Sequence, residues 1–598
     1  MRTAFLNVHL VTTPLLVMPL FARIRHRAMR RVLWTLLPAT CLFSFILYIT
    51  IRRPSDRCSP YQREVSHPVQ WDASDVAAAV SKKGNGQHAA EGPGSDVAKM
   101  GAVKSAFLTN YGNYSQHAWG CNILEPLSLS GSSNQGRIGA FGATIIDSLT
   151  TMIVMDIHVE DKHSHLFARA LNFTQHLDFT RTKGGDRCTG CISVFEATIR
   201  YIGSLLSTWE LLELPPKHHW LVEQAERIAQ SLLPGFVYAI PYNYVNINKG
   251  QPRNTFESGS LAAAGTLLLE WSRLSTHTGN RTYVDKVRAT QRALMQAGDV
   301  LPGLVGSNVY AVSGKVSGKA GTLVTYGPGG DSYYEYIAKA LFLGDTSIDN
   351  EAYLSTFNTA WMSTREHLIT KSGGSKKNLT FLADYTASSG PIYRQSQLSC
   401  FAGSLFALMG RHLTEPAMTT AGLELTESCA ETFLATASGL GPQEWRYRSQ
   451  EGKGSVKDQR AYERNGFEAI SKGYYHGPEA IESIFYAWRI TGDQMWRDIA
   501  WTIFQSLSDV LETGSGWASL CDVNARPSGE GQGRWAAAWE NEQGSFLYAE
   551  VFKYLYLTFT SPSYYSLDEW VFNTEAHPLR RQDADEPKIQ ADSKAGPL

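Results

Sequence analysis

Carboxylates embedded in apolar or aromatic stretches are the residues of this sequence that could do chemistry. A carboxylate buried in such a stretch is costly unless it is paired, bound to a metal ion or used in a reaction. Five segments have this pattern, namely SVFEATIR with Glu196 and Arg200, GGDSYYEY with Asp331 and Glu335, GPEAIESIFYAWR with Glu479 and Glu482, SFLYAEVFKYLYL with Glu550, and VFNTEAHP with Thr574 and Glu575. Glycoside hydrolysis needs such a set in one pocket, because one carboxylic acid protonates the leaving oxygen while a carboxylate positions water or attacks the anomeric carbon.

Each segment, taken alone, also has a purely structural interpretation. Glu196 and Arg200 have the i,i+4 spacing of an ordinary intrahelical ion pair. Glu479 and Glu482 follow a proline and would suit the dipole of a helix N-terminus, and Asp331 would suit an N-cap. The catalytic interpretation is favoured when the acids are taken together, because the axis of one ring of helices would gather them into a pocket.

Composition and missing motifs exclude several other classes of protein. The chain has 598 residues, of which 43% are hydrophobic and 19% are charged, which is typical of a large globular protein. Residues 1–53 contain eight arginines and no acid, which leaves the remainder at −9, and this acidic remainder argues against a nucleic-acid partner. We find no Gly-x-Ser-x-Gly elbow, no HExxH and no Walker phosphate loop in the sequence.

The N-terminal part predicts a membrane anchor. Residues 32–51 are twenty uncharged residues, which is the length of one transmembrane helix, although a cleaved signal peptide is an alternative. Five arginines within residues 23–31 precede this span and three within residues 52–57 follow it, so we expect residues 1–31 to be a cytosolic tail and the rest to be lumenal. Four glycosylation sequons follow the span, at Asn113, Asn172, Asn280 and Asn378.

The remaining chain predicts a single all-α domain. Apolar residues recur at helical spacing in many segments, and alternating runs are scarce. Two passages have the pattern of a helical hairpin, in which Gly279 or Gly492 ends one helix and Asn280 or Asp493 caps the next. A third, looser copy surrounds residues 341–361, and this repetition favours one closed toroid over residues 104–578, with an open solenoid as the alternative. The polar segments 52–103 and 579–598 predict a flexible stem and a disordered tail.

Cysteine spacing leaves one local question open. Cys188 and Cys191 form a lone CxxC without a second CxxC or nearby histidines, so a zinc site is disfavoured. A local disulfide and two free thiols remain as interpretations.

Six motifs in one order resemble the class I α-mannosidases of glycoside hydrolase family 47, over roughly residues 104–578. The motifs are AFGATIIDSLTTMIVM, SVFEATIRYIGSLLSTWEL, GDSYYEYIAKALFLGD, PEAIESIFYAWRITGD, AEVFKYLYLTF and VFNTEAHP. The resemblance implies an (α/α)7 barrel that trims α-1,2-linked mannose from high-mannose N-glycans by an inverting mechanism with one Ca2+ ion. It also implies a monomeric type II membrane protein of the endoplasmic reticulum or Golgi.

The same resemblance implies a role for each site residue. Glu196 matches the general acid, Glu479 the usual candidate for the general base, and Asp331 a third essential carboxylate that is sometimes assigned as the base. Thr574 matches the calcium ligand. The remaining matches are Glu482, Glu550 and Glu575, which would hold the ion's waters and the sugar hydroxyls, Phe546, which would stack on the terminal mannose, and Arg200, which would orient the acid region. The family disulfide maps onto Cys400 and Cys429.

Four positions depart from the family pattern. Gln397 replaces a common histidine, Gly477 a usual arginine and Gly544 a common acid, and Gly329 stands where members selective for a single linkage have arginine. These replacements would weaken the binding of particular glycan branches. We therefore expect an active mannosidase of broader branch specificity, and the alternative is a weakly active or inactive lectin-like relative that binds high-mannose glycans for glycoprotein quality control.

Overall fold

The structure is a computed structural model of the chain. It describes residues 90–133, 137–184, 188–212, 218–253, 259–313, 315–316, 322–344, 349–531 and 533–581. The predicted cytosolic tail, the predicted membrane span 32–51, most of the predicted stem and residues 582–598 of the predicted tail lie outside the described residues. Within the described ranges, no helix has both the length and the apolar character needed to cross a membrane.

Helices dominate the described part of the chain. Those of eight or more residues are α1 Val97–His117, α2 Ala143–Val154, α3 Ser164–Gln175, α4 Gly203–Leu212, α5 Trp220–Leu232, α6 Leu268–Thr278, α7 Arg281–Met295, α8 Asp331–Lys339, α9 Asn350–His367, α10 Phe401–His412, α11 Pro416–Leu434, α12 Glu479–Thr491, α13 Gln494–Leu511 and α14 Phe552–Phe559. Shorter α-helical segments are Val194–Glu196, Leu261–Gly265 and Gln459–Asn465, 3₁₀ turns are Leu233–Gly235, Ala340–Phe342, Leu398–Cys400 and Ala536–Ala538, and π-helical segments are Ala197–Ile202 and Leu547–Val551.

Seven of these helices form a closed inner ring. The even-numbered helices pack in chain order from α2 to α14, and α14 packs against α2. Each inner helix also packs against one odd-numbered outer helix, and α1 is the outer partner of α14. Since inner and outer helices alternate along the chain, the inner helices all run in the same direction. The arrangement is therefore the closed toroid that the sequence predicts, and the open solenoid is excluded.

The predicted hairpin turns are confirmed. Gly279 and Gly492 end α6 and α12 with φ of 69° at both positions, in the left-handed region that glycine adopts without strain. The side chain of Asn280 accepts a hydrogen bond from the N–H of Thr282 at the start of α7. The side chain of Asp493 accepts one from the N–H of Met495 at the start of α13. These caps satisfy backbone donors that a helix start leaves free.

Short strands accompany the helices, which the all-α prediction did not include. They are β1 Ile123–Glu125, β2 Ser130–Ser132, β3 Cys191–Ser193, β4 Tyr244–Asn246, β5 Gln251–Pro252, β6 Gly259–Ser260, β7 Asp299–Leu301, β8 Leu304–Val305, β9 Asn308–Tyr310, β10 Lys315–Val316, β11 Leu323–Val324, β12 Ile369–Lys371, β13 Thr380–Leu382, β14 Asp384–Thr386, β15 Gly390–Ile392, β16 Arg394–Ser396, β17 Glu444–Arg446, β18 Glu468–Ser471, β19 Ser519–Leu520, β20 Trp539–Glu540, β21 Trp570–Phe572 and β22 Pro578–Arg580. They form small antiparallel sheets of two or three strands. Strands of two to four residues are too short to show an alternating sequence pattern, which is why the sequence did not predict them.

Two boundaries differ from the predicted ones. Helix α1 begins at Val97, inside the predicted stem, and its residues Met100 and Val103 are buried in the core. Leu579 and Arg580, which we predicted to begin the tail, belong to β22, and Leu579 is fully buried. The folded part therefore extends further at both ends than the composition of the flanking segments indicates.

Candidate active site

One cavity of about 400 Å³ contains every residue that the sequence analysis assigned to catalysis, substrate binding or calcium. The residues are Glu196, Arg200, Asp331, Glu479, Glu482, Phe546, Glu550, Thr574 and Glu575. They come from five separate segments of the chain. The closed ring of inner helices therefore brings the five segments together, as the sequence analysis predicts.

The carboxylates of the cavity differ in their exposure. Glu196, Asp331 and Glu479 are half-buried. The fully buried carboxylates that line the cavity are Glu335, Glu482, Glu550 and Glu575. The half-buried group can therefore meet a substrate and water, whereas the buried group can act only on what reaches the floor of the cavity.

Two of the half-buried carboxylates lie at helix N-termini. Asp331 is the first residue of α8 and Glu479 is the first residue of α12, where the helix dipole favours negative charge. The N-cap of α8 is Gly330, so the predicted N-cap role of Asp331 is wrong by one position. Asp331 Oδ1 instead accepts a hydrogen bond from the N–H of Ser332 at 2.9 Å. The parallel direction of the inner helices places both acids at the same end of the ring.

Burial brings the pKa of these two carboxyl groups into the neutral range. Burial raises the pKa of Asp331 to about 7, and the neighbouring charge of Glu335 adds to the effect. Burial also raises the pKa of Glu479 to about 7, with further contributions from the charges of Asp331 and Glu335. Among the described residues, Glu479 Oε2 is buried and has no hydrogen-bond partner. A carboxyl group with such a pKa and a free oxygen is suited to proton transfer near neutral pH.

Two π-helical segments carry further site residues. Arg200 lies in Ala197–Ile202, directly after Glu196. Glu550 lies in Leu547–Val551, directly before α14. A π-helical turn inserts an extra residue into the helix and is frequent at functional sites. Both segments lie at the cavity end of an inner helix, where this insertion turns the side chains toward the cavity.

Arg200 connects the half-buried acid Glu196 to the buried part of the site. Its Nε donates to Glu196 Oε2 at 2.8 Å, so the predicted i,i+4 pair is present inside the cavity. Its Nη1 donates to Glu575 and, at 3.3 Å, to Asp147 Oδ2 on α2. Three carboxylates therefore fix one guanidinium group. The ion pair of the structural interpretation is therefore present, and both of its residues line the cavity.

Lys339 contacts two of the buried carboxylates of the cavity, although it is not itself a lining residue. Its Nζ donates to Glu335 and lies 3.8 Å from Glu482 Oε1. Burial raises the pKa of Glu482, while the ammonium of Lys339 lowers it. Lys339 was not predicted, although it belongs to the same GDSYYEYIAK segment as Asp331.

Thr574 and Glu575 lie on the turn of the β21–β22 hairpin. The hairpin pairs Phe572 with Pro578, which leaves five residues in the turn. Thr574 is half-buried, and its N–H donates to the hydroxyl of Tyr336 at 3.3 Å. The hairpin therefore presents a threonine hydroxyl and a carboxylate to the cavity.

The donor chemistry of the cavity fits a calcium ion. Burial raises the pKa of Glu550 and of Glu575 well above the ordinary value. The charge of Glu575 raises the pKa of Glu550 further, and the charges of Asp147 and Glu196 raise that of Glu575. A bound cation would relieve this repulsion. Within the described residues, no group of three or more His, Cys, Asp or Glu side chains has metal-binding geometry. An ion would therefore need hydroxyl, carbonyl and water oxygens, which calcium accepts.

Several buried charges below the cavity were missed by the sequence analysis. Asp147 on α2 is fully buried. Lys553 Nζ donates to the carbonyl of Ala576 at 2.6 Å and to Thr150 Oγ1 at 2.9 Å, and burial lowers the pKa of Lys553 to about 7. Both charges stand in apolar helical stretches, which is the signal that led to Glu196. The same criterion applied to every charged residue would have found them.

Three of the four departures from the family pattern line the cavity. Gln397 Nε2 donates to the carbonyl of Gly477 at 2.9 Å, and a Cβ at position 477 would lie 2.7 Å from that nitrogen. Gly329 has φ of +96° and also lines the cavity. Gly544 is not among the lining residues, but a Cβ there would lie 2.9 Å from the ring of Phe546. Gly329 leaves space on the cavity wall, since the nearest atom to a Cβ there would be 3.6 Å away, whereas the side chain of Gln397 fills the space beside Gly477.

The disulfides resolve the remaining cysteine question. Cys400 and Cys429 form a disulfide, as the resemblance implies. Cys188 and Cys191 also form a disulfide, which is one of the two interpretations left open. Of the four sequons, Asn280 and Asn378 are exposed, whereas Asn113 and Asn172 are half-buried on α1 and α3.

Residues 106–581 match the family model described as glycosyl hydrolase family 47. The chain belongs to this family. The match covers every inner helix, both π-helical segments and the β21–β22 hairpin. Membership in family 47 therefore rests on the whole cavity and its supporting ring.

Relatives of this family 47 chain are similar over most of their length. Mannosyl-oligosaccharide α-1,2-mannosidase 1B of Aspergillus phoenicis is 34% identical over 500 residues, which cover 80% of this chain and 91% of that protein. The enzyme of the same name from Aspergillus oryzae is 33% identical over 510 residues, which cover 81% and 92%. The solved structure of α-1,2-mannosidase from Trichoderma reesei has a TM-score of 0.73 and 29% identity, and the match covers 81% of this chain and 99% of that one. The ring described above is thus similar to that of a family 47 mannosidase.

Proposed function

We propose that this protein hydrolyses terminal α-1,2-linked mannose from high-mannose N-glycans. The observation that carries the proposal is a single cavity in which half-buried carboxyl groups with pKa near 7 stand above a floor of buried acids. Membership in glycosyl hydrolase family 47 supports the reaction class, and the α-1,2-mannosidase relatives support the linkage. We propose further that the ring is the (α/α)7 barrel of that family.

The residues divide into an acid, a base and binding groups. Glu196 is positioned by Arg200 and acts as the general acid toward the leaving oxygen, through a water molecule. Glu479 acts as the general base, since its Oε2 has no partner within the described chain. Asp331, with a pKa of about 7, is the alternative base. An inverting reaction follows if the base activates a water on the face opposite the acid.

The binding groups hold the terminal sugar. Phe546 is half-buried in the cavity wall and stacks on the apolar face of the mannose ring. Thr574 would hold a calcium ion, while Glu482, Glu550 and Glu575 bind its water ligands and the sugar hydroxyls. Calcium, when bound, supplies positive charge and ligand positions for hydroxyl groups on the cavity floor.

The cellular setting belongs to the same proposal. Residues 32–51 anchor the protein in the membrane of the endoplasmic reticulum or Golgi as a single-pass type II protein, with residues 52–103 as the stem. The family 47 domain is then lumenal and monomeric, where it meets the N-glycans of passing glycoproteins. The exposed sequons Asn280 and Asn378 and the two disulfides are consistent with an oxidising lumen.

The test is release of free mannose from a high-mannose N-glycan by the full chain in detergent. We expect release with calcium, loss of release with a chelator, recovery when calcium is restored, and no release by Glu479→Gln. The product isomers then report which branch is cleaved first. Release that survives the chelator would contradict the calcium part of the proposal, and release by Glu479→Gln would contradict the assigned base.

The lectin-like alternative predicts a different result from the same samples. Gln397, Gly477 and Gly544 are the residues that favour it, because they remove groups that members of the family commonly have. If the folded protein binds the glycan but releases no mannose in calcium, the hydrolase proposal fails and the alternative stands. Binding is measured by retention of the labelled glycan on the immobilised protein.

A further inference from the structure

Asn573 ties the turn of the β21–β22 hairpin to the ring. Its Oδ1 accepts hydrogen bonds from the N–H of Glu575 at 3.0 Å and of His577 at 2.8 Å, which folds the turn on itself. Its Nδ2 donates to the carbonyl of Ile199 at 2.9 Å and to Glu270 Oε1 at 2.8 Å. All of these atoms are buried. One amide side chain therefore links the hairpin turn, the π-helical segment of Arg200 and helix α6.

Glu270 and Tyr336 complete this connection. Tyr336 donates from its hydroxyl to Glu270 Oε1 at 2.6 Å and accepts from the N–H of Thr574 at 3.3 Å. Glu270 and Tyr336 are both fully buried, and neither lines the cavity. The hydroxyl of Tyr336 on α8 thus holds the backbone of Thr574. The carboxylate of Glu270 on α6 holds the side chain of the preceding residue, Asn573.

We infer that Tyr336, Glu270 and Asn573 are positioning residues that fix Thr574 as a calcium ligand. The inference rests on the proposed function, because it assumes that calcium binds at Thr574. The proposed calcium ligands are the hydroxyl and carbonyl oxygens of Thr574, so their direction depends on the backbone of the turn. Ala576 in the same turn has φ of 57°, which a non-glycine residue adopts only when its surroundings enforce it, so the shape of the turn depends on the contacts that hold it.

The geometry separates this role from general stabilisation of the fold. Among the described residues, the hydroxyl of Tyr336 is hydrogen-bonded to Glu270 and to the N–H of Thr574, and removing this hydroxyl leaves the phenyl ring to fill the core. Supporting groups behind a metal ligand typically change metal affinity by about tenfold to a hundredfold when they are removed. We therefore expect Tyr336→Phe to weaken calcium binding much more than it lowers the stability of the calcium-free protein.

The experiment compares calcium affinity among three proteins by titration calorimetry of the full chain in detergent. Tyr336→Phe is the test variant, and Tyr326→Phe is the matched control, because Tyr326 is also fully buried but its hydroxyl pairs with Thr364 away from the hairpin. We expect the dissociation constant for calcium to rise about tenfold in Tyr336→Phe and to stay at the wild-type value in Tyr326→Phe. The melting temperature in chelator should be the same for the two variants.

A second pair of variants covers the case in which Tyr336→Phe lowers the melting temperature in chelator. Glu270→Gln keeps an acceptor oxygen for Tyr336 and Asn573, whereas Glu270→Met removes it at similar size. We expect near wild-type calcium affinity for Glu270→Gln and about tenfold weaker affinity for Glu270→Met. Equal affinity in this pair, or wild-type affinity in Tyr336→Phe, would overturn the inference.

The two proposals fail in distinguishable ways. If the wild-type protein releases mannose and binds calcium while the variants bind calcium equally well, only the positioning role is lost. If the wild-type protein releases mannose without binding calcium, the hydrolase stands while the calcium site and this inference both fall. If it does neither, the proposed function itself is wrong.

Discussion

Glu479, the proposed general base, lies in an environment that disfavours a charged carboxylate. A buried carboxyl group beside Asp331 and Glu335 is harder to ionise than one in water, and this is the reason that its pKa rises to about 7. The same property that suits a general base near neutral pH therefore costs the folded protein stability when the group is charged. The charged form of Glu479 thus suits the proposed reaction but lowers the stability of the fold.

The first prediction concerns the stability of Glu479→Gln in chelator. Between pH 4.5 and about 7, the folded protein holds a proton on Glu479 that the unfolded chain releases, so this group lowers the free energy of unfolding as pH rises through that window. Glutamine does not titrate. The variant should therefore gain stability over wild type from pH 4.5 to pH 8, by up to about 3 kcal/mol, as measured by denaturant unfolding at each pH.

Asp331→Asn serves as the comparison for this pH series, because burial also raises its pKa to about 7 and the same trend is expected. If the free energies of unfolding of Glu479→Gln and wild type differ by the same amount at every pH, the raised pKa of Glu479 is contradicted. The two cavity variants should gain stability while losing mannose release.

The second prediction concerns Asp147, which no sequence motif assigned to the site. Asp147→Asn removes one of the three carboxylates that fix Arg200, so the guanidinium group that holds Glu196 loses a restraint. We expect kcat to fall by about tenfold to a hundredfold, because small displacements of catalytic groups have effects of that size. KM should change little, since Asp147 does not line the cavity. An unchanged kcat with normal folding would show that Arg200 is held well enough by Glu196 and Glu575.

At the level of single residues, the sequence predicted the cavity from one kind of evidence. Acids in apolar stretches indicated that Glu196, Glu482 and Glu550 are functional, and all three line the same cavity. The i,i+4 spacing predicted the contact of Arg200 with Glu196, but the sequence could not show the contact of Arg200 with Glu575, because these two residues meet only through the tertiary fold. It also could not show that Asp331 follows the N-cap of its helix, since N-cap and first-turn positions favour the same side chains.

Helix boundaries were predictable where local rules set them. The turn at Gly492 and Asp493 follows from glycine's access to positive φ and from the capping ability of aspartate, and both residues act in that way. The π-helical segments at Ala197–Ile202 and Leu547–Val551 had no such signal. One extra residue in a helical turn leaves the apolar pattern almost unchanged, so the sequence predicted ordinary helix at these positions.

The third prediction tests one of these turns. Gly492→Ala places a Cβ at φ of 69°, and no atom lies within 4 Å of that Cβ, so the cost is backbone strain alone. We expect a loss of about 1 kcal/mol in the free energy of unfolding. Gly492→Asn should lose less, because asparagine tolerates the left-handed region. Chemical denaturation of both variants measures their free energies of unfolding. A larger loss for asparagine than for alanine would show that backbone strain at this φ does not determine the loss of stability.

Disulfides contribute at the scale of the whole domain according to the length of chain they close. Cys400–Cys429 closes a loop with a sequence separation of 29, whereas Cys188–Cys191 spans 3. The longer loop restricts the unfolded chain more. In the entropy model the expected stabilisation is about 3 to 4 kcal/mol for the first bond and about 1 to 2 kcal/mol for the second.

The fourth prediction compares the two bonds directly. The double variant Cys400→Ser and Cys429→Ser should lose about 3 to 4 kcal/mol in the free energy of unfolding, because the bond joins the start of α10 to α11. The double variant Cys188→Ser and Cys191→Ser should lose roughly half as much or less. Denaturant unfolding without reductant gives both values. Equal losses would mean that native contacts around the bonds, and not loop closure, set their contribution.

The closed ring itself was predictable only in outline. Repeated hairpins indicated a chain of helix pairs, and the short turns at Gly279 and Gly492 indicated that paired helices are antiparallel. Closure depends on the packing of α14 against α2, which are separated by most of the chain. No local pattern reports such a contact. The resemblance to a known family, and not periodicity, led to the expectation of a barrel of seven hairpins.

The β21–β22 hairpin is synthesised after all the helices of the ring, so the cavity is completed late in translation. Thr574 and Glu575 follow every helix of the ring in the chain, yet they line the cavity. Ribosomes add residues at about 5 to 20 per second, and earlier parts of a chain begin to fold while later parts are still being made. Arg200 therefore lacks its partner Glu575, and Tyr336 lacks its partner Thr574, until the ribosome has synthesised the hairpin up to Arg580. A nascent chain that is stalled after α14 would have all its helices and no working site.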